Sequence, residues 1–196
     1  MNQTEELIIK KASSLNGYIT IQDCELLGIH KNVVFNMSKN NLLTRMASGI
    51  YALTQTIPDE LFILHLRFPS LVFSHETALY YLGYSDQVPF QYSVTVPNGF
   101  HSVALKDYIV IQQKTDFIEQ GKIEVETECK NKIPVYCIER TLCDLLHKPS
   151  NLDLERFIPA FKKYISSKER DNIKLLDFAK KLRVEKKIRT YMEVSL

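Results

Sequence analysis

Residues 20–53, TIQDCELLGIHKNVVFNMSKNNLLTRMASGIYAL, carry the pattern that decides the fold of this chain. Thr20 can cap a helix over about 21–27, because its hydroxyl accepts from the free N–H groups of the first turn. Gly28 tolerates the backbone of a sharp turn, and a second helix is expected over about 31–40. Val34 and Met37, with Leu42 and Leu43 just beyond, form its inward side, and Asn41 suits the left-handed residue that ends it. Two short alternating runs, 43–46 and 50–53, flank the turn Ala47-Ser48-Gly49 and read as a hairpin. Helix, tight turn, helix and hairpin is the order of a winged helix-turn-helix, whose second helix enters the DNA major groove.

The side of this helix turned away from Val34 and Met37 holds Lys31, Asn32, Phe35, Asn36, Lys39 and Asn40. Asn can pair with adenine through two hydrogen bonds, and Lys can reach guanine acceptors or phosphates. Lys31, Asn32 and Asn36 are therefore assigned to base readout and Lys39 to phosphate. Arg45 lies on the wing, where a cation can contact backbone or enter the minor groove, and Ser48 sits in the wing's turn.

Outward from this stretch, a helix is expected over 3–15, closed by Asn16-Gly17, with Tyr18-Ile19 a short extended piece. Thr54 to Pro58 marks a boundary, which gives a winged helix at 1–56 and a second domain at 57–196. In that second domain helices are expected at 59–67 and 75–83, the latter capped by Ser74 and stopped by Gly83. Strands follow at 91–96, 108–113, 122–129 and 133–137, with turns at Asn98-Gly99 and Lys130-Asn131. The rest reads as helices over 139–146, 152–164, 171–182 and 185–193. The fold class is α+β, a winged helix-turn-helix followed by a mixed domain with a small sheet and several helices.

At 196 residues and 45% hydrophobic content, the chain has the composition of a globular protein of one large or two small domains. No apolar run approaches a membrane span, and MNQTEELIIKKAS has no basic-then-apolar leader pattern, so a cytoplasmic protein is expected. Cys24, Cys129, Cys137 and Cys143 form no C-x-x-C pair, and no histidine lies at ligand spacing beside them; reduced thiols without zinc are expected, and no cofactor. The net charge of +2 conceals a gradient: +1 over 1–56, −5 over 57–161 and +7 over 162–189. A net +1 is small for a DNA-binding domain, since neutralised phosphates supply much of the affinity. Lys162, Lys163, Arg170, Lys180, Lys181, Arg183, Lys186, Lys187 and Arg189 are candidates to make up the deficit as phosphate contacts or a partner surface.

Two other readings stay open. Asn and Lys are also ordinary solvent-facing helix residues, so a protein-interaction adaptor is the alternative to the favoured DNA-binding reading. Glu128-Cys129-Lys130 has the acid-x-lysine form of metal-dependent nucleases, with Asp107 or Asp116 as an upstream carboxylate. Against it, Glu124, Glu126 and Glu128 alternate as the exposed face of one strand would. His75-Glu76 opens like a zinc-protease motif, but Leu79 stands where the second histidine is required.

With these residues placed, the chain resembles the AbiEi family of antitoxins from bacterial abortive-infection toxin–antitoxin operons. The likeness rests on the wing ending SGIYAL, on FSHETALYYLG at 73–83 and on IERTLCDLL at 138–146, in that order along most of the chain. It implies an N-terminal DNA-binding domain that binds inverted repeats in its own promoter, represses the operon, and precedes a larger antitoxin domain. It also implies counteraction of a cognate nucleotidyltransferase-like toxin without a stable complex. Carried over, the DNA-binding role falls on the outward side of the 31–40 helix and on Arg45. His30 and Asn41 depart from the small cap and glycine of many winged helices. No catalytic group that could reverse a toxin's modification is recognisable, no coiled coil or obvious dimer stripe is seen in the sequence, and a monomer in solution that binds DNA as two copies is expected.

Overall fold

A computed structural model of the chain describes residues 2–147 and 151–195, and the backbone alone for 151–153 and 195. The protein is mixed α+β, with two sheets among the described residues. The chain divides into two compact units: the first runs to Pro69 and takes in Glu126–Lys132, and the second holds Ser70–Val125 and the chain from Ile133 on.

In the first unit, Asn2 opens α1 (Gln3–Ser13) with a capping box in which its side chain and that of Glu5 exchange backbone N–H bonds of 2.9 Å. After β1 (Tyr18–Thr20), Thr20 and Asp23 repeat the device for α2 (Ile21–Leu26). Gly28, at φ +73°, turns the chain sharply, and α3 (Lys31–Lys39) begins at His30. The expected small cap is replaced by an imidazole, whose Nδ1 accepts the Asn32 N–H at 3.3 Å. Asn41 takes the left-handed conformation at φ +57°, as its short polar side chain permits.

Next come β2 (Leu43–Ala47) and β3 (Ile50–Leu53), which complete an antiparallel sheet in the order β1-β3-β2, with an irregular register between Arg45 and Ala47. Strand alternation sends Ile19 and Tyr51 into a cluster with Ile8, Ala12, Val34 and Met37 of the helices. Tyr18, Ile50 and Ala52 face the other way, towards Phe62, Ile63 and Leu66 of α4 (Glu60–Arg67). Leu42 was expected inside but is 37% exposed, because the reversal at Asn41 leaves only Leu43 pointing inward. Cys24 lies at the centre of the helical cluster, where burial, with Asp23 and Glu25 beside it, pushes its thiol up to about 11.

The units are not divided at residue 56. The Tyr18 hydroxyl donates to the Ile57 carbonyl at 3.0 Å and accepts the Asp59 N–H at 2.8 Å, so the stretch read as a linker is fastened to β1. The buried Asp59 carboxylate accepts from Thr127 Oγ1 and from Asn131 Nδ2, and Asn16 Nδ2 donates to Asn131 Oδ1 at 3.0 Å. These bonds hold the 126–132 segment in the first unit.

The second unit's sheet has the order β6-β5-β4-β8-β7, built from β4 (Val72–Phe73), β5 (Ser93–Pro97), β6 (Ile109–Gln113), β7 (Lys122–Glu126) and β8 (Lys132–Tyr136). β5 and β6 run parallel, so Asn98-Gly99 does not close a hairpin; a longer connection with a short 3-10 helix at Val103–Leu105 joins them. β7 stops at Glu126, and Glu128 lies in a turn beyond it, not on the strand's exposed face. The helices are α5 (His75–Tyr81), α6 (Thr115–Ile118), α7 (Ile138–Leu146), α8 (Asn151–Ser166), α9 (Asn172–Lys181) and α10 (Glu185–Ser195). β4 and α6, of two and four residues, are too short to show a period in the sequence. Ser74 precedes α5 without a side-chain cap bond, since its Oγ accepts from Thr95 at 2.9 Å and lies 3.1 Å from His75 Nδ1.

Every residue of α7 from Glu139 to Leu146 is buried. Arg140, 1% exposed, pairs with Asp144 at 2.8 Å and donates to the carbonyls of Phe117 and Gln120. Its guanidinium lies over the Phe117 ring at 3.9 Å and the Tyr136 ring at 4.4 Å. Burial pushes the Asp144 carboxyl up against the opposing pull of Arg140. Among the described residues, no helix is long and apolar enough to cross a membrane.

Candidate nucleic-acid interface

α3 separates its residues cleanly. Val34 and Met37 are fully buried, while Lys31, Asn32, Phe35, Asn36, Lys39 and the helix-ending Asn40 are exposed. Positions 32, 35, 36, 39 and 40 follow the three- and four-residue spacing of one helical stripe. Arg45 and Ser48 are also exposed, one on β2 and the other in the β2–β3 turn. All eight predicted positions therefore lie at the surface of the first unit. From residue 26 to residue 58 the sequence contains no Asp or Glu, against the cations Lys31, Lys39 and Arg45, so the local charge is more positive than the domain sum indicated.

Side chains here are held ready, not consumed. Among the described residues the amides of Asn32, Asn36 and Asn40 make no side-chain hydrogen bond. Asn2, Asn16 and Asn131, by contrast, are all engaged in caps or in the Asp59 network. Phe35 remains 39% exposed with its ring 6.4 Å from that of Tyr51, which supports it from below. The Arg45 Nε donates to the Ala47 carbonyl at 3.4 Å, at the register irregularity of the hairpin. That bond orients the guanidinium and leaves its terminal N–H groups available.

The C-terminal cations behave differently. Lys163 Nζ donates to the Gly83 carbonyl at 2.6 Å, Lys187 Nζ to the Leu146 carbonyl at 3.0 Å, and Arg170 to the Ile165 carbonyl. Lys181 pairs with Asp177 at 2.7 Å and Arg189 with Glu185 at 2.8 Å. Lys162, Lys180, Arg183 and Lys186 are exposed and enter no ion pair among the described residues.

The residues of the nuclease alternative are not assembled into a metal site. Lys130 pairs with Glu126 at 3.4 Å, and among the described residues no three His, Cys, Asp or Glu side chains are grouped as a metal ion would need. Sequence reading did not anticipate a cleft of about 700 Å³ in the first unit, lined by Asn16, Tyr18, Thr54, Gln55, Glu128 and Asn131 among others. Its buried donors and acceptors on Tyr18 and Asn131 are already paired.

No protein-family model matches the sequence, and no curated protein does. A crystal structure of the RV2827C protein from Mycobacterium tuberculosis is similar to this chain over 92% of its length and 72% of the other's, with a TM-score of 0.55 and 11% identity. At that identity the likeness is one of fold: the chain shares a mixed α+β architecture with that protein.

Proposed function

We propose that the chain is a DNA-binding transcriptional repressor of its own promoter and the antitoxin of a co-encoded nucleotidyltransferase-like toxin. In this reading the first unit is a winged helix-turn-helix, with α3 in the major groove and the β2–β3 turn as its wing. The observation that carries the reading is the set of exposed residues on the outward side of α3, together with Arg45, in a stretch of sequence without Asp or Glu from residue 26 to 58. The order α1-β1-α2-α3-β2-β3, with β3 central in the sheet, supports the winged-helix assignment. The antitoxin part rests on the resemblance to the AbiEi family, whose two further segments fall on α5 and on the buried helix α7.

Binding proceeds through two classes of contact. Lys39 and Arg45 neutralise phosphates and release counterions, which gives affinity and salt dependence. Lys31 and the amides of Asn32 and Asn36 meet base edges, which gives sequence preference. The test is a gel-shift titration against the DNA upstream of the gene, with scrambled competitor at two salt concentrations. Specific, salt-sensitive retardation that Lys39→Ala weakens is the expected result. Equal affinity for the competitor would overturn the repressor assignment and favour the adaptor reading. Co-expression with the neighbouring toxin gene tests the other half: restored growth is expected, and continued arrest with folded protein present would remove the antitoxin role.

A further inference from the structure

Resting on that DNA-binding reading, we infer that the operator half-site read by α3 is rich in A·T pairs, with Phe35 reading thymine methyl groups and Asn32 and Asn36 reading adenine. The first two turns of the helix decide this. Their outward residues are Lys31, Asn32, Phe35 and Asn36; α3 has no arginine, which leaves Lys31, at its first position, as the one residue in these turns able to reach guanine, against two amides and a ring that suit A·T pairs. Lys31 is the first helical residue and Lys39 the last, about 12 Å apart along the axis, so the two cations flank the Asn–Phe–Asn set.

The polar readers fit adenine. An Asn amide offers one donor and one acceptor side by side, matching the N7 acceptor and N6 donor of adenine. The amides of Asn32 and Asn36 are free of intramolecular partners among the described residues and lie one turn apart on one side of the helix. Between them stands Phe35, exposed although large and apolar, with its ring supported by Tyr51. An aromatic ring at the centre of an otherwise polar stripe has one apolar complement in the major groove, the 5-methyl of thymine. Arg45 favours the same composition, since A·T-rich tracts narrow the minor groove and concentrate negative potential where an arginine enters.

The experiment uses the full chain and double-stranded oligonucleotides. Selection from a randomised duplex pool should return half-sites in which A·T pairs dominate. Replacing each selected thymine with uracil, which removes only the methyl, should weaken wild-type binding about fourfold per contacted methyl. Phe35→Ala should bind the thymine and uracil duplexes equally, while Asn36→Ala should lose preference at an adenine position and keep the thymine–uracil difference. A G·C-rich consensus, or wild-type indifference to uracil at every position, overturns the inference while leaving DNA binding intact. Failure to bind any duplex instead overturns the repressor reading itself. The wild-type thymine–uracil comparison decides the methyl question even where the Phe35 variant does not fold.

Discussion

The two basic regions of this chain hold their cations in opposite ways. In α3 and β2, Lys31, Lys39 and Arg45 project from a stretch with no acid between residues 26 and 58. In α8–α10 the density of Lys and Arg is much higher, yet many of them have internal work. Lys163 and Lys187 close the carbonyls of Gly83 and Leu146, while Lys174, Lys181 and Arg189 are paired with Glu139, Asp177 and Glu185. The region that looks more strongly charged in the sequence thus offers a smaller share of its cations, with Lys162, Lys180, Arg183 and Lys186 outside any ion pair among the described residues. Availability depends on whether acids and helix-end carbonyls lie within reach, and a running sum of charge does not record that.

The contrast can be broken in four ways. The extreme internal cation is Arg140, and Arg140→Ala should cost the second unit about 3–5 kcal/mol by leaving the Asp144 carboxyl buried without its partner. Urea denaturation measures it, and a loss below about 1 kcal/mol would contradict an interior role. The double variant Lys39→Ala/Arg45→Ala should lower DNA affinity roughly tenfold or more and reduce the salt slope by about 2, with an unchanged melting temperature. A lower melting temperature with an unchanged slope would mean that these cations, too, serve the fold. Lys187→Ala should lose about 1 kcal/mol of stability through the orphaned Leu146 carbonyl and leave the salt slope alone. Arg189→Ala should change stability by no more than about 0.5 kcal/mol, as its pair with Glu185 is exposed. A drop in DNA affinity for either of these last two would erase the distinction between the regions.

Much of the first unit was legible because its signals are local. Thr20, Gly28 and Asn41 announce caps and turns through their own backbone chemistry, and the 3.6-residue period of Val34 and Met37 marks the inward side of α3. Its outward face followed by subtraction. What escaped depends on partners distant in sequence. Nothing near Asp59 indicates that Thr127 and Asn131 will satisfy its carboxylate, so the boundary fell at 56 instead of beyond α4. Asn98-Gly99 has the chemistry of a hairpin turn, but the pairing of β5 with β6 in parallel was set by the whole sheet order. Ser74 looked like a cap until Thr95, far along the chain, engaged its hydroxyl.

The clean division of α3 into buried Val34 and Met37 and an exposed stripe has an evolutionary corollary. Residues that anchor the helix and residues that give it an outward chemistry occupy different positions, and surface changes away from caps and core usually shift stability by less than about 0.5 kcal/mol. Positions 32 and 36 can therefore be rewritten while 34 and 37 stay fixed. If α3 reads DNA as proposed, it is an exchangeable cassette: descendants of this gene would acquire a new target by drift on one side of a single helix, and an engineer would redirect the protein by randomising the same few codons.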